Sequence, residues 1–275
     1  MTLLPLLGAG LLYAGLSLTV GAAAKGSRFE SAIADVWRAL VSAQGVIWAA
    51  ALWLNRADLA RVFRTVVGWL YAGLVMVALA LPTVVDELSP IQAVFVLPKF
   101  ALLPLALRHF LTGFVIVGSL VASAISALVG VTLFELLRDK PSYVSLIEAR
   151  QRLQRGITTL SILLVAAVGT TGWLQRSLEA IEKSSYAKET VFTYGLYFSV
   201  LLLAVYLPAI AEFYRAAASM AETTFPMPLF DKAQAGQRGA LLKELGATKS
   251  DGLQAAFATL SPIIGAIVSM SLGKE

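Results

Sequence analysis

The stretch GSLVASAISALVG, residues 118–130, lies in the middle of a long uncharged run. Its small residues recur at helical spacing in two adjacent rows, which are Gly118, Ala122, Ser126 and Gly130 in one and Ser119, Ser123 and Ala127 in the other. Because residues four apart share a helix face, this face carries nothing larger than a hydroxymethyl group. The pattern predicts a membrane helix that either packs tightly against a neighbour or borders a water-filled path.

The composition of the whole chain indicates a polytopic membrane protein. Of 275 residues, 58% are hydrophobic and only 14% are charged, and the mean hydropathy is +0.77. An ordinary soluble domain does not reach these values, because its surface must be largely polar. The net charge of +5 does not by itself indicate a nucleic-acid ligand, since basic loops on the cytoplasmic side of a membrane produce the same excess.

Six runs in the sequence are apolar enough and long enough to cross about 30 Å of hydrocarbon. They lie at residues 3–24, 36–54, 65–85, 112–134, 156–174 and 193–214. The first run has no Lys or Arg before it, so we expect a retained helix rather than a signal peptide. The sequence therefore predicts an all-α fold, with a bundle of about six transmembrane helices over residues 1–214 and a small cytosolic or interfacial helical tail over residues 215–275.

Lys and Arg are distributed unequally between the two sides of this six-helix bundle. The loop at 55–64, the loop at 135–155 and the tail from Arg215 together hold 14 of them, and the opposite side holds 7. By the positive-inside rule, the richer side faces the cytoplasm. The count therefore predicts that both termini are cytoplasmic.

Two further apolar segments do not have the pattern of simple spans. Residues 91–107 contain Lys99 and two prolines, so we expect a re-entrant or interfacial segment there. Residues 253–272 are uncharged but contain Pro262 and several serines. They form a seventh spanning helix, an interfacial helix or a buried oligomerisation helix, and the last two are favoured.

The residue types that carry most enzymatic chemistry are scarce. Cysteine is absent and histidine occurs once, as His109, which excludes thiol nucleophiles, thiolate metal sites and paired histidine ligands. All six aspartates fall in or next to predicted loops, and no phosphate-binding loop, serine elbow or HExxH pattern occurs. We therefore expect no enzymatic activity, no cofactor and no stable metal site.

Two polar side chains in the predicted spans call for partners. Gln44 lies mid-span, where a hydrogen bond to another helix is its first expected role and pore lining its second. Glu212 lies in the last turn of the sixth run, three residues before Arg215. An ion pair at this spacing is expected rather than an ion site.

Five basic residues outside the predicted spans are candidates for binding an anionic ligand. They are Arg150, Arg152, Arg155, Arg238 and Lys243. The first three lie on a helix that is expected to run straight into the fifth span, where anionic lipid attracts each by about 1 kcal/mol and is their simplest partner. If several subunits gather around an axis, the basic tail residues form a ring that could bind an anionic nucleotide or oligonucleotide.

The layout of the chain resembles that of a known class of proteins. A compact bundle of about six helices without enzymatic motifs, ending in a short basic tail with the apolar stretch LSPIIGAIVSM at residues 260–270, is similar to the membrane-disrupting or channel effectors of bacterial anti-phage defence systems. The resemblance implies a homo-oligomeric channel in the bacterial inner membrane, gated by a nucleotide signal.

Two classes of function follow. The first is an oligomeric membrane protein that forms or gates an ion-conducting pore, with the small residues of 118–130 beside the path. The second is a non-conducting membrane scaffold or assembly factor, in which the same residues pack against a neighbouring helix. A small transporter is the third interpretation.

Overall fold

The computed structural model describes residues 32–84, 105–138, 142–179, 189–226, 232–248 and 258–268. The predicted span at 3–24 and residues 91–104 of the predicted broken segment lie outside the described residues. Within them the chain is entirely helical, which confirms the predicted all-α class. The helices are α1 (Ala32–Leu54), α2 (Arg56–Val62), α3 (Val66–Val84), α4 (Leu105–Arg138), α5 (Tyr143–Glu179), α6 (Glu189–Thr224), α7 (Lys232–Glu244) and α8 (Ala258–Val268).

Three of these helices, α4, α5 and α6, contain segments that are long and apolar enough to cross a membrane. The pair α2 and α3, bent by 105° at a short break, would make a fourth. The predicted span at 36–54 corresponds to α1, which contains Arg38 and Gln44 and is not among these candidates. The described residues therefore show three to four candidate spans, and the expected six are not confirmed.

The predicted loop at 55–64 is mostly the helix α2. A turn then separates α2 from α3, and Thr65 Oγ1 accepts a hydrogen bond at 3.1 Å from the Gly68 N–H in the first turn of α3. The Trp69 indole N–H donates to the Phe63 carbonyl at 2.9 Å. Arg56 and Arg61 were grounds for expecting a loop, but charged residues are compatible with a short helix at the edge of a bundle.

The core lies between α4 and the long helices around it. Ile125, Leu128, Leu160 and Leu202 are fully or almost fully buried there. The outer surface is also apolar, and Leu74 and Leu207 are more than half exposed. A bundle that is apolar both inside and outside fits a membrane environment, because lipid replaces water around the outer side chains.

In the predicted loop at 135–155, the described residues are helical up to Arg138 and again from Tyr143 onward. As expected, the segment around Glu148 continues without a break into the fifth predicted span, as α5. An Arg155–Asp58 ion pair joins this region to α2, and a Tyr143–Glu244 hydrogen bond of 2.5 Å joins it to α7. The basic segments at 55–64, 135–155 and after Arg215 thus meet at one end of the bundle, called the basic end below.

Candidate functional site

The glycines of the small stripe accommodate aromatic rings from other helices. A Cβ added at Gly118 would lie 2.9 Å from the ring of Trp48 on α1. At Gly130 an added Cβ would overlap the ring of Tyr71 on α3. The small residues therefore let α1 and α3 approach α4 at distances that a larger side chain would prevent.

The three serines of the stripe are buried, and two of them form hydrogen bonds within their own helix. Ser119, Ser123 and Ser126 are 7%, 3% and 2% exposed. The Ser123 hydroxyl donates to the Leu120 carbonyl at 3.0 Å, and the Ser126 hydroxyl donates to the Ala122 carbonyl at 2.8 Å. Both rows of the stripe therefore lie in the interior of a single chain.

The free space beside the stripe is small. A cavity of about 10 Å3 borders Ala122 and Ser126, and its other walls are valine and leucine side chains of α3, α5 and α6. This volume is at the lower limit for one water molecule. The described part of a single subunit thus leaves no room for a water-filled path at this cavity.

The two polar side chains in the predicted spans have the expected partners. The Thr170 hydroxyl on α5 lies 2.8 Å from Oε1 of Gln44 on α1, which confirms an interhelical hydrogen bond for Gln44. Arg215 Nη2 lies 2.6 Å from Glu212 Oε1, which confirms the ion pair. These groups are accounted for by packing and pairing.

Three of the five candidate ligand-binding residues are paired with carboxylates of described residues. Arg152 pairs with Glu135 at 2.5 Å and with Glu148 at 3.2 Å. The other two pairs are Arg155 with Asp58 at 3.8 Å and Arg238 with Glu222 at 2.9 Å. Lys243 is exposed near the end of α7. Carboxylates therefore offset the charge of three of the five candidates in the single subunit.

Arg150 differs from the other four because it lines a cavity of about 330 Å3 at the basic end. The cavity lies between α5, α6, the turn after α7 and the first residue of α8. Its polar lining includes Arg150, Gln154, Thr158, Tyr206 and Tyr214. Its apolar lining includes Leu153, Ile157, Ile210 and Phe213. A cavity whose described lining includes a basic side chain and both polar and apolar walls is suited to a small amphipathic anion.

A glycine turn sets the position of Arg150. Gly246 has φ of +66°, and it ends α7 with hydrogen bonds from its own N–H to the Lys243 carbonyl at 3.0 Å and from the Ala247 N–H to the Leu242 carbonyl at 2.8 Å. This arrangement is the Schellman motif, in which glycine is preferred. The Arg150 guanidinium lies where a Cβ of residue 246 would be, and Nη1 donates to the Glu244 carbonyl at 3.3 Å.

The last described helix, α8, is held along α5 and α6 by two serines. Pro262 has no N–H, so it cannot donate to the Ala258 carbonyl as an ordinary helical residue would. The Ser161 hydroxyl of α5 donates to this carbonyl at 2.8 Å, as does Ser261. The Ile263 N–H donates to Ser199 Oγ of α6 at 3.3 Å.

The depth of α8 follows from its neighbours. Gly265 lies beside Val165 of α5, and Gly195 of α6 lies beside Ala266, so α8 runs alongside the predicted fifth and sixth spans. At 1.5 Å per residue α8 is about 16 Å long, roughly half of the hydrocarbon thickness. The described part of the 253–272 segment is therefore a short helix packed against candidate spans.

Four residues that hold these sites are not identified by sequence reasoning. They are Ser161, Ser199, Tyr206 and Gly246. Pro262 indicates that the carbonyl four residues earlier has no helical donor. Gly246 comes directly after the last turn of α7, where a glycine that caps the helix is common. Neither signal identifies the partner helix, because the partners are 64 to 97 residues away in the chain.

Comparison of the chain with protein-family models, with curated proteins and with solved structures finds no match. Within the described ranges, no group of three or more histidine, aspartate or glutamate side chains is placed to hold a metal ion.

Proposed function

We propose that the protein is the subunit of a homo-oligomeric membrane protein that forms or gates an ion pathway under the control of an anionic ligand. The basic end faces the cytoplasm of a bacterial inner membrane in this proposal, and both termini are on that side. The anionic ligand is a nucleotide or oligonucleotide bound by basic residues repeated around the oligomer axis. The surrounding bilayer is the other partner.

The observation that carries the proposal is the continuity of α5 and α6. Each runs without a break from the apolar bundle to the basic end, where α7 packs against them, and α8 lies along both helices within the bundle. Ligand binding at the tail would therefore act directly on the two helices that also cross the apolar layer. This is the arrangement that coupling between a ligand site and a pathway requires.

The pathway is proposed to lie between subunits. The described bundle is closely packed beside the stripe, and the Ser123 and Ser126 hydroxyls donate to carbonyls of their own helix. Side chains on the outer surfaces of α3, α4 and α6 are available to other subunits or to lipid. An axial path would therefore be lined by outer faces of the protomers.

A non-conducting scaffold or assembly factor is the second candidate. The close packing of both rows of the stripe favours it, because packing alone accounts for every small residue there that the structure places. A scaffold shares the oligomeric assembly but not the ion flux.

The deciding experiment combines oligomer size and flux. The full chain is extracted in mild detergent, its subunit number is measured, and it is reconstituted into liposomes for ion-flux measurements with and without nucleotides and oligonucleotides. The proposal expects an oligomer whose flux responds to an anion. An oligomer that never conducts supports the scaffold, and a monomer overturns both the axial path and the basic ring.

Charge removal tests the control by the ligand. The double variant Arg238→Gln with Lys243→Gln is expected to remove the anion response and to keep the oligomer size. The matched control is Arg61→Gln, which removes an exposed arginine on α2. An unchanged response in the double variant would place the regulatory anion elsewhere.

A further inference from the structure

The 330 Å3 cavity at the basic end is large enough for part of a small molecule. Ligand pockets in proteins begin at about 300 Å3, and the volume of this cavity equals that of about ten water molecules. Its walls come from α5, α6, the Gly246 turn and Ala258 of α8. A ligand in this cavity would touch four separate elements of the chain.

The cavity is elongated along the helix axes. On α5 its lining extends from Arg150 to Thr158, which is a rise of about 12 Å, and on α6 it extends over a similar length from Tyr214 to Tyr206. The contacts of α8 with both helices show that α5 and α6 run in opposite directions. Arg150 and Tyr214 therefore mark the outer end of the cavity, and Thr158 and Tyr206 mark the inner end.

The outer end lies at the expected level of lipid head groups. Tyr214 closes the sixth predicted span, where amphipathic rings are common at the membrane surface. The inner end lies within the predicted fifth and sixth spans, beside Ile157 and Ile210. The cavity thus goes from a polar, basic environment to an apolar one over the depth at which a phospholipid changes from phosphate to acyl chain.

Tyr206 provides an independent observation that points to a ligand. Its side chain is 2% exposed and lines the cavity, and its hydroxyl makes no hydrogen bond to another residue in the described part of the chain. The hydroxyl oxygen is not fully enclosed by protein atoms, so it is open to the cavity. A molecule in the cavity that carries a hydrogen-bond acceptor could accept a hydrogen bond from this hydroxyl.

We infer that the cavity binds one anionic phospholipid, with its phosphate at Arg150 and an ester oxygen at the Tyr206 hydroxyl. A guanidinium matches the geometry and charge of a phosphate, and a phenol donates well to an ester carbonyl. Leu153, Ile157 and Phe213 contact the glycerol and the first carbons of one acyl chain. The inference goes beyond the proposed function, because it requires the membrane but not ion conduction.

A soluble phosphate or nucleotide shares the anionic group with the lipid. It has no apolar body to cover the inner half of the cavity, and it reaches the site from water rather than from the bilayer. The lipid accounts for both ends of the cavity, so it is the occupant that the lining favours. The two sources of phosphate are separated by the experiment.

The test measures lipid bound to the full chain in mild detergent by native mass spectrometry, with phosphatidylglycerol and phosphatidylcholine supplied in equal amounts. We expect one phosphatidylglycerol per subunit to be retained in preference to phosphatidylcholine. Arg150→Gln should weaken this retention roughly tenfold or more. Tyr206→Phe should weaken it severalfold. The matched control is Arg61→Gln, which removes an exposed arginine of α2 that does not line the cavity, and this variant should retain the lipid.

Other outcomes overturn the inference. Equal retention of the two lipids by the wild type, or unchanged retention by both Arg150→Gln and Tyr206→Phe, would show that the cavity is not the lipid site. Displacement of the lipid by inorganic phosphate or ATP would assign the cavity to a soluble anion. Tyr206→Phe removes one oxygen atom and keeps the ring, so the test does not depend on the arginine variant being folded. The lipid test does not measure ion flux, so its result does not depend on whether the protein conducts ions.

Discussion

The ring of Tyr71 on α3 lies against Gly130 on α4, and the Tyr71 hydroxyl donates to the Val205 carbonyl on α6 at 3.1 Å. One side chain therefore links three helices, and it does so across the small face of α4. A second aromatic contact of the same kind joins Trp48 of α1 to Gly118. The small stripe is thus a set of sites for aromatic rings from neighbouring helices.

Replacing Gly130 should destabilise the bundle. Gly130→Ala adds a Cβ where the Tyr71 ring lies, and overpacking of this kind costs about 1–3 kcal/mol. Gly113→Ala on the same helix meets no atom within 4 Å and is the matched control. It should be neutral or stabilising by up to about 1 kcal/mol, because alanine favours helix over glycine. Thermal unfolding in detergent compares the two, and equal midpoints would contradict the packing role.

Stability should depend on the size of the side chain at the stripe serines and not on its polarity. Ser123→Ala and Ser126→Ala remove hydroxyls that are bonded only within α4, so stability should change by about 1 kcal/mol or less. Ser123→Leu should cost several times more, since Ser123 is 3% exposed. Oligomer size, thermal midpoint and liposome flux are measured for each variant. A flux change in Ser123→Ala with unchanged stability would show that this hydroxyl borders an ion path.

The long apolar helices could be predicted from the sequence, whereas their pairings could not. The uncharged runs at 112–134, 156–174 and 193–214 locate α4, α5 and α6 because membrane crossing depends on length and hydropathy alone. The arginines at 55–64 did not predict the helix α2, since arginines occur on short helices at the edge of a bundle as well as in loops. Partners such as Arg152 and Glu135 depend on how two helices meet, and spacing along the chain does not encode this.

The same limit applies to the candidate site. The sequence identifies Arg150 as one of five basic candidates but gives no reason to separate it from Arg152 two residues later. The separation comes from helix geometry, because residues two apart point in different directions on a helix. Arg152 faces Glu135, and Arg150 faces the Gly246 turn and the cavity. Tyr206 joins the site only because α6 packs beside α5.

Residues 142 and 243 should be labelled from the same side of the membrane. Ser142 and Lys243 are exposed, and the Tyr143 hydroxyl beside the first is bonded to Glu244 beside the second. The chain has no native cysteine, so Ser142→Cys and Lys243→Cys each provide one reactive group. An impermeant thiol reagent should label both in inverted vesicles and neither in intact cells. Labelling in intact cells would reverse the proposed orientation.

Replacing Gly246 should loosen the tail. Gly246→Ala forces an alanine into φ of +66°, which costs roughly 1–2 kcal/mol, and its Cβ meets the Arg150 guanidinium. Gly239→Ala in α7 meets no atom within 4 Å and should stabilise the helix slightly. Limited proteolysis of the full chain should cut the tail of Gly246→Ala faster than that of Gly239→Ala. Equal cleavage rates would show that the turn does not hold α7 in place.

The last prediction concerns the carbonyl that Pro262 leaves without a helical donor. Ser161→Ala removes the α5 hydroxyl that donates to the Ala258 carbonyl, and we expect a loss of about 1 kcal/mol. Pro262→Ala restores an N–H at the position from which a helix normally satisfies that carbonyl. The loss caused by Ser161→Ala should therefore be smaller in the Pro262→Ala background, with a coupling energy of about 0.5 kcal/mol or more.

A double-mutant cycle on thermal unfolding in detergent measures this coupling. Ser42→Ala is the matched control for Ser161→Ala, because its hydroxyl donates to the Arg38 carbonyl within α1 and has no link to α8 in the described contacts. Its effect should be the same in both backgrounds. If Ser161→Ala is equally costly with and without Pro262, the serine stabilises α5 itself, and the docking of α8 rests on packing around Gly195 and Gly265.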